Sequence, residues 1–307
     1  MPHLSRRAFL AGGASIALST TASYASNEWR NVETSLGHVD IPAHPQRVLA
    51  IDSRISLESA LALDLPVIGY SHSRARPWVP VPDSVPMLTA PPDLEQILML
   101  APDLILCPDS SPNSDWWPLA RLSSIAPVLP SNHLQTWQIN LHRLGDWLGK
   151  TPMVQQRLRE HGSLIEDIRR AHAAALAHLH FAALYYDPVR RRAMVCSQGT
   201  SYGLVMPAQV LSELGGREIG ADRLGRNGEV TLECFGKVFG DVDAILLIDF
   251  GNGATRALSA EPLWQRLPAV RADRIHVVKG NCVFGSVYTA RYLAEGWRGL
   301  LARGQMR

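Results

Sequence analysis

The sequence predicts an α/β protein built as two Rossmann-like lobes joined by one long helix. Three observations point there. Short apolar runs that end in polar clusters alternate with helical stretches, as in parallel sheets covered on both faces. That alternation occurs twice, once in each half of the chain. Between the halves, residues 151–174 carry one amphipathic stripe. Val154, Leu158, Ile165, Ile168 and Ala171 recur at helical spacing, while Gln155, Arg157, Arg159, Glu160, Asp167 and Arg169 face elsewhere. Thr151 suits the N-cap and Pro152 the first helical position. At ~1.5 Å per residue the stretch makes a rod of roughly 35 Å, provided that His161-Gly162 does not break it.

Residues 1–25 read as an export signal. Ser5-Arg6-Arg7-Ala8-Phe9-Leu10 is a twin-arginine signature, an apolar run covers Ala11 to Leu18, and Ser23-Tyr24-Ala25 places cleavage after Ala25. The alternative is a frayed amphipathic terminus. The run is too short to span a bilayer, and no Cys follows to carry a lipid. The mature chain is therefore expected as a soluble, monomeric periplasmic protein that folds before export.

The first lobe, residues 26–150, opens on the strand Val48 to Asp52 and the polar turn Asp52-Ser53-Arg54. A helix over Leu57–Leu63, a strand over Pro66–Tyr70 and a Pro-rich loop from Arg74 to Pro92 follow. Asp93-Leu94-Glu95 opens a helix before the strand Asp103–Cys107, and a helix over Trp117–Ile125 leads to Pro127–Leu129. The second lobe, residues 175–307, repeats the plan. Its strands are Phe181–Tyr186, Ala193–Cys196, Asp243–Asp249 and Arg274–Val278. A helix over Ala208–Leu214 ends at Gly215-Gly216, and Tyr288–Leu301 closes the chain. Thr231-Leu232-Glu233 before the strand at Asp243 echoes Asp93-Leu94-Glu95 before the strand at Asp103.

With 307 residues the chain can bury two cores. A net charge of +2 offers no nucleic-acid footprint and no polybasic membrane tail. Cys107, Cys196, Cys234 and Cys282 form no C-x-x-C pair; Cys107 and Cys196 end apolar runs and read as buried thiols.

In open parallel sheets ligands meet the loops beyond the strands' carboxyl ends, and with two facing lobes that means the cleft between them. Enzyme motifs are missing: no G-x-G-x-x-G after a strand, no P-loop, no G-x-S-x-G, no H-E-x-x-H. The chain therefore reads as a binder, not an enzyme, with no cofactor or metal site of its own. His172, His178 and His180 read as helix-end or surface residues, and no histidine is placed at a strand end. Arg190-Arg191-Arg192 reads as a solvated turn. Arg223 and Arg226 are either cleft residues or part of a solvated loop.

A family resemblance rests on several stretches together. Gly37-His38-Val39-Asp40-Ile41-Pro42, with Pro45-Gln46-Arg47-Val48, resembles the opening of periplasmic iron-siderophore binding proteins of ABC importers. Pro92-Asp93-Leu94-Glu95 with Pro102-Asp103-Leu104-Ile105 is similar to that family's first-lobe signature. Pro262-Leu263-Trp264-Gln265 with Pro268-Ala269-Val270 resembles its second. The resemblance implies the helical-backbone periplasmic binding fold and capture of a ferric siderophore, with Fe(III) held only by the siderophore, for delivery to an inner-membrane ABC permease. Arg76-Pro77-Trp78-Val79 is similar to a loop of the ferric-hydroxamate binders. Two positions depart from them: Thr89 stands where they place a cleft arginine, and Gly225 where they place a tryptophan. A basic loop there suits a carboxylate or citrate-type chelate, and haem or cobalamin stay open as ligands, as does, at the far end, a chelate-processing enzyme.

The expected cleft lining is Arg54, Arg76, Trp78, Thr89, Ser110, Arg223, Arg226, Asn227, Phe250 and Phe284. By motif position the resemblance also implies that Asp115 and Glu233 dock the permease. A helix-start role for Glu233 and a capping role for Asp115 remain alternatives.

Overall fold

The structure is a computed structural model that describes residues 28–303 except 75, 110, 112, 113, 201–203, 226 and 252. The export signal lies outside the described residues. Strands β1 (Trp29–Thr34) and β2 (Gly37–Pro42) form an antiparallel hairpin. The first lobe then runs β3 (Val48–Ala50), α1 (Ile55–Ala62), β4 (Val67–Tyr70), α2 (Leu94–Leu100), β5 (Leu104–Pro108), α3 (Leu119–Leu122), β6 (Val128–Ser131) and α4 (Trp137–Trp147). Its sheet is parallel throughout, in the order β4-β3-β5-β6. Helix α5 (Thr151–Ala171) crosses over, and a short α6 (Ala173–His178) follows.

The second lobe runs β7 (His180–Asp187), β8 (Arg192–Val195), α7 (Met206–Leu214), β9 (Arg217–Glu218), β10 (Glu229–Thr231), α8 (Phe235–Phe239), β11 (Ala244–Asp249), α9 (Ala254–Ser259), α10 (Pro262–Gln265), α11 (Pro268–Arg271), β12 (Ile275–Lys279) and α12 (Val287–Arg303). Strands β7, β11 and β12 are parallel, but β8 runs antiparallel to both of its neighbours, β7 and β10. The reason is local. Asp187 Oδ1 accepts from the backbone N–H of Val189 and Arg190, closing a tight turn that sends the chain straight back. Arg190 and Arg191 stand exposed on that turn, as the sequence suggested, but Arg192 belongs to β8, half-buried and paired with Glu229 on β10.

The crossing helix departs from expectation at both ends. Lys150 occupies the cap position, and Thr151 sits in the first turn, donating its hydroxyl to Asp146 Oδ1 at 2.8 Å. The helix stops at Ala171, so 21 residues span about 31 Å. His161-Gly162 does not break it, because His161 is 3 % exposed and anchored from both sides. Its ring meets Trp137 edge-on at 5.0 Å, and its Nε2 lies 2.5 Å from Glu213 Oε2.

One apolar core runs through both lobes. Val48, Leu104 and Leu141 join Val154 and Ile165 of α5, then Phe181, Leu246 and Trp297. A half-buried and a fully buried carboxylate reinforce that continuity in opposite directions. Glu213, on α7, accepts from Trp137 Nε1 (3.0 Å) and Gln138 Nε2 (2.6 Å) on α4 of the first lobe. Glu58, on α1, sits at the start of α12 and accepts from the backbone N–H of Ser286 (2.8 Å) and Thr289 (2.9 Å) and from the Thr289 hydroxyl (2.6 Å). Each lobe thus lends a glutamate to the other, and Glu58 satisfies N–H groups that a helix start leaves without intrahelical partners.

Candidate ligand-binding cleft

Strand β3 is central in its sheet: the chain leaves it for β4 on one side and returns through β5 on the other. Loops beyond such a point diverge and leave a crevice. The turn after β3 supplies Asp52 and Arg54. Asp52 is fully buried; it accepts from the Ile55 N–H at 3.0 Å and from Arg54 Nε at 2.8 Å, with His133 Nε2 at 3.6 Å. Burial alone would raise its carboxyl, but the Arg54 charge and His133 outweigh that and hold it well below the usual carboxylate range. The Arg54 guanidinium lies 5.1 Å from the centre of the Phe284 ring and 6.0 Å from that of Trp117.

Rings continue from there in a ladder. Phe284 lies 4.9 Å from His133, His133 5.5 Å from Trp117, Trp117 6.2 Å from His72, and His72 5.5 Å from Trp116. The second lobe answers with Tyr185 and Phe250, whose rings are 4.8 Å apart. Between the lobes Arg54, Tyr185, Val195, Phe250, Val283 and Phe284 line a cavity of about 150 Å³. A larger groove of about 660 Å³, between the β2 strand and α3, lies on the outside of the first lobe and shares no residue with the ladder.

Three of the expected cleft residues, Arg54, Phe250 and Phe284, line this cavity. Arg76 does not. It is 5 % exposed and ion-paired to Glu58, with Nη1 donating to the Phe284 carbonyl at 3.4 Å. Trp78 is likewise part of the seam: its ring stacks on Tyr292 at 3.9 Å and its Nε1 donates to Thr289 Oγ1 at 3.0 Å. A Cβ at Gly280, whose φ is +90°, would meet the Trp78 ring at 3.0 Å, so only glycine fits beneath it. Thr89 is exposed and bonds Gln96.

Arg223 is corrected more sharply. It pairs in a fork with Asp241 beside His180, at the start of β7. The cavity-lining Tyr185 is five residues further along that strand, about 17 Å at ~3.3 Å per residue. Asn227 is half-buried in the turn whose Gly228 carbonyl accepts from the N–H of the cavity-lining Val195 at 2.8 Å, and is not itself among the residues that line the cavity. Ser110 and Arg226 lie outside the described residues.

Asp115 and Glu233 are both exposed. Asp115 is not the cap of the next helix, because α3 begins at Leu119 with Pro118 in that position. Glu233 does sit in a helix start: its own N–H, then the Thr231 hydroxyl, hold its carboxyl below the usual range.

Sequence reasoning missed His72, Trp117, His133 and Tyr185. The expectation of no strand-end histidine is wrong, since His72 follows β4 and His133 follows β6. Their distance from the strand ends was the available signal. Among the described residues no group of three His, Cys, Asp or Glu side chains could hold a metal ion. No described helix is long and apolar enough to cross a membrane.

No family model matches the sequence, and no curated protein does. Solved structures do. A periplasmic solute binding protein from Mycobacterium smegmatis matches with TM-score 0.74 and 19% identity, over 90% of this chain and 98% of that one. The FhuD protein from S. pseudintermedius matches with TM-score 0.70 and 20% identity, over 89% and 98%. The siderophore binding protein FhuD from Vibrio cholerae, with Fe3+-Desferal bound, matches with TM-score 0.68 and 22% identity, over 84% and 98%. The chain has the two-lobed α/β fold of these proteins.

Proposed function

We propose that this chain is a periplasmic solute-binding protein that captures a ferric siderophore between its lobes and delivers it to an ABC permease for iron uptake. The observation that carries the reading is an aromatic cleft whose charges, among the described residues, close among themselves. Arg54 is balanced by Asp52, Arg76 by Glu58, and Arg223 pairs with Asp241 away from the cavity. A ferric chelate needs no iron ligands from the protein, only recognition of its periphery. Rings supply apolar area, and Arg54 remains within reach of a ligand oxygen. The fold likeness to the FhuD protein that holds Fe3+-Desferal supports the same reading.

Charge balance favours an uncharged ferric tris-hydroxamate over a trianionic tris-catecholate or a citrate-type chelate. Delivery would use Asp115 and Glu233 against permease arginines, with the chain acting as an exported monomer. The test is tryptophan-fluorescence titration of the mature protein against ferric tris-hydroxamate, tris-catecholate and citrate-type chelates, their iron-free forms, haem and cobalamin. The expected result is micromolar or tighter binding of the hydroxamate, about −8 kcal/mol, and at least tenfold weaker binding of the trianion. Failure of every ferric chelate to bind would overturn the reading.

A further inference from the structure

His72 follows β4 at the far end of the ring ladder, and its backbone φ is +87°. An imidazole-bearing residue rarely adopts that conformation, and strain of this kind persists where function holds it. The loop around it is anchored on both sides. Ser71 Oγ donates to the Ile51 carbonyl at 3.0 Å, and the Ser73 and Ser53 hydroxyls lie 2.9 Å apart. Glycine would follow the same path without strain, so the path alone does not account for a histidine.

The ring is also incompletely satisfied. It is braced by Trp117, nearly parallel at 29°, and by Trp116, edge-on at 72°. Nδ1 is buried with no hydrogen-bond partner among the described residues, and the residue as a whole is half-buried. An orphaned buried lone pair is tolerated better than an orphaned buried N–H, which assigns the proton to Nε2. The groups facing the ring are Arg54, Asp52, His133 and Arg76. Burial, then Arg54, depress its pKa despite Asp52.

We propose that His72 is a ligand-contacting residue whose Nε2–H donates to an oxygen on the periphery of the bound chelate, such as a hydroxamate or amide carbonyl. The proposal rests on the reading of the cleft as a ferric-chelate site. The test uses the mature protein and an uncharged ferric tris-hydroxamate, with His72→Gly and His72→Asn. Asparagine tolerates the left-handed region and keeps a donor. The expected result is a tenfold or greater loss of affinity in His72→Gly with a melting temperature no lower than that of the parent, and recovery of most of the affinity in His72→Asn. A parent protein that binds while His72→Gly binds equally well overturns the role of His72 alone. A lowered melting temperature with unchanged affinity makes the ring a packing element and does the same. A parent that binds no ferric chelate overturns the cleft reading together with it.

Discussion

At the scale of single residues, what an arginine does here depends on a carboxylate that local sequence does not reveal. Arg76 and Trp78 are seam residues, so Trp78→Ala should lower stability by about 2–3 kcal/mol, through lost ring packing and a lost hydrogen bond, while leaving chelate affinity unchanged. Denaturant unfolding and titration on one sample check both. Arg54, Phe250 and Phe284 were legible because each stands just past a strand or a helix start beside the cleft. Arg76, Trp78 and Arg223 were not, because their partners Glu58, Tyr292 and Asp241 lie on other elements. Thiols follow burial alone: Cys107, Cys196 and Cys282 are buried and Cys234 is exposed. Burial pushes the Cys282 thiol up to about 12. A thiol reagent should therefore label only Cys234 rapidly, and the other three upon unfolding.

Glu218 provides a pH test. Burial pushes its carboxyl up to about 7 against the lowering effect of the Gln198 N–H. A raised folded-state value means that its contribution is fully present below the ordinary glutamate value of 4.5 and is lost as pH rises through about 7. With one unit worth ~1.4 kcal/mol, and a discount for solvent reaching a half-buried group, stability should fall by about 1–2 kcal/mol across that window. Glu218→Gln should flatten the slope in melts taken from pH 4.5 to 7.5; an unchanged slope would remove Glu218 as its source.

At the scale of elements, the parallel first-lobe sheet and the crossing helix were legible from period and punctuation. Val48–Ala50 and Leu104–Pro108 are unbroken apolar runs, and α5 carries one buried stripe. Reversed β8 was not legible, because it depends on the Asp187 turn and on pairing with β7 and β10. The helix α12 was visible as a closing helix, but not its cap, which is Glu58 from the opposite lobe. Breaking one side of a buried pair typically costs 3–5 kcal/mol. Glu58→Gln should therefore lower the unfolding free energy by a comparable amount, read as a lower denaturant midpoint with little change in m-value. A loss below about 1 kcal/mol would show that Glu58 does not hold the seam.

At the scale of the whole molecule, an apolar core shared between lobes and two reciprocal glutamates oppose wide opening. Domain closure by hinge needs a few residues free to absorb large backbone changes, whereas α5 is an unbroken helix packed on α4, α7 and α12. Small-angle scattering should give nearly the same radius of gyration with and without chelate, and a marked contraction would contradict a rigid frame. The cleft between the lobes was legible as a place, from two sheets and their strand-end loops. Its ring ladder was not, because turns after three first-lobe strands and one loop from the other lobe assemble it.

The most direct test of the central claim is calorimetric titration of the mature chain with an uncharged ferric tris-hydroxamate, alongside Phe284→Ala. Phe284 comes from the second lobe yet touches Arg54 and His133 of the first. Capture between the lobes therefore requires one-to-one binding at micromolar or tighter affinity, weakened at least tenfold, about 1.4 kcal/mol, in Phe284→Ala. No heat from the parent protein, or equal affinity in the two proteins, would contradict it.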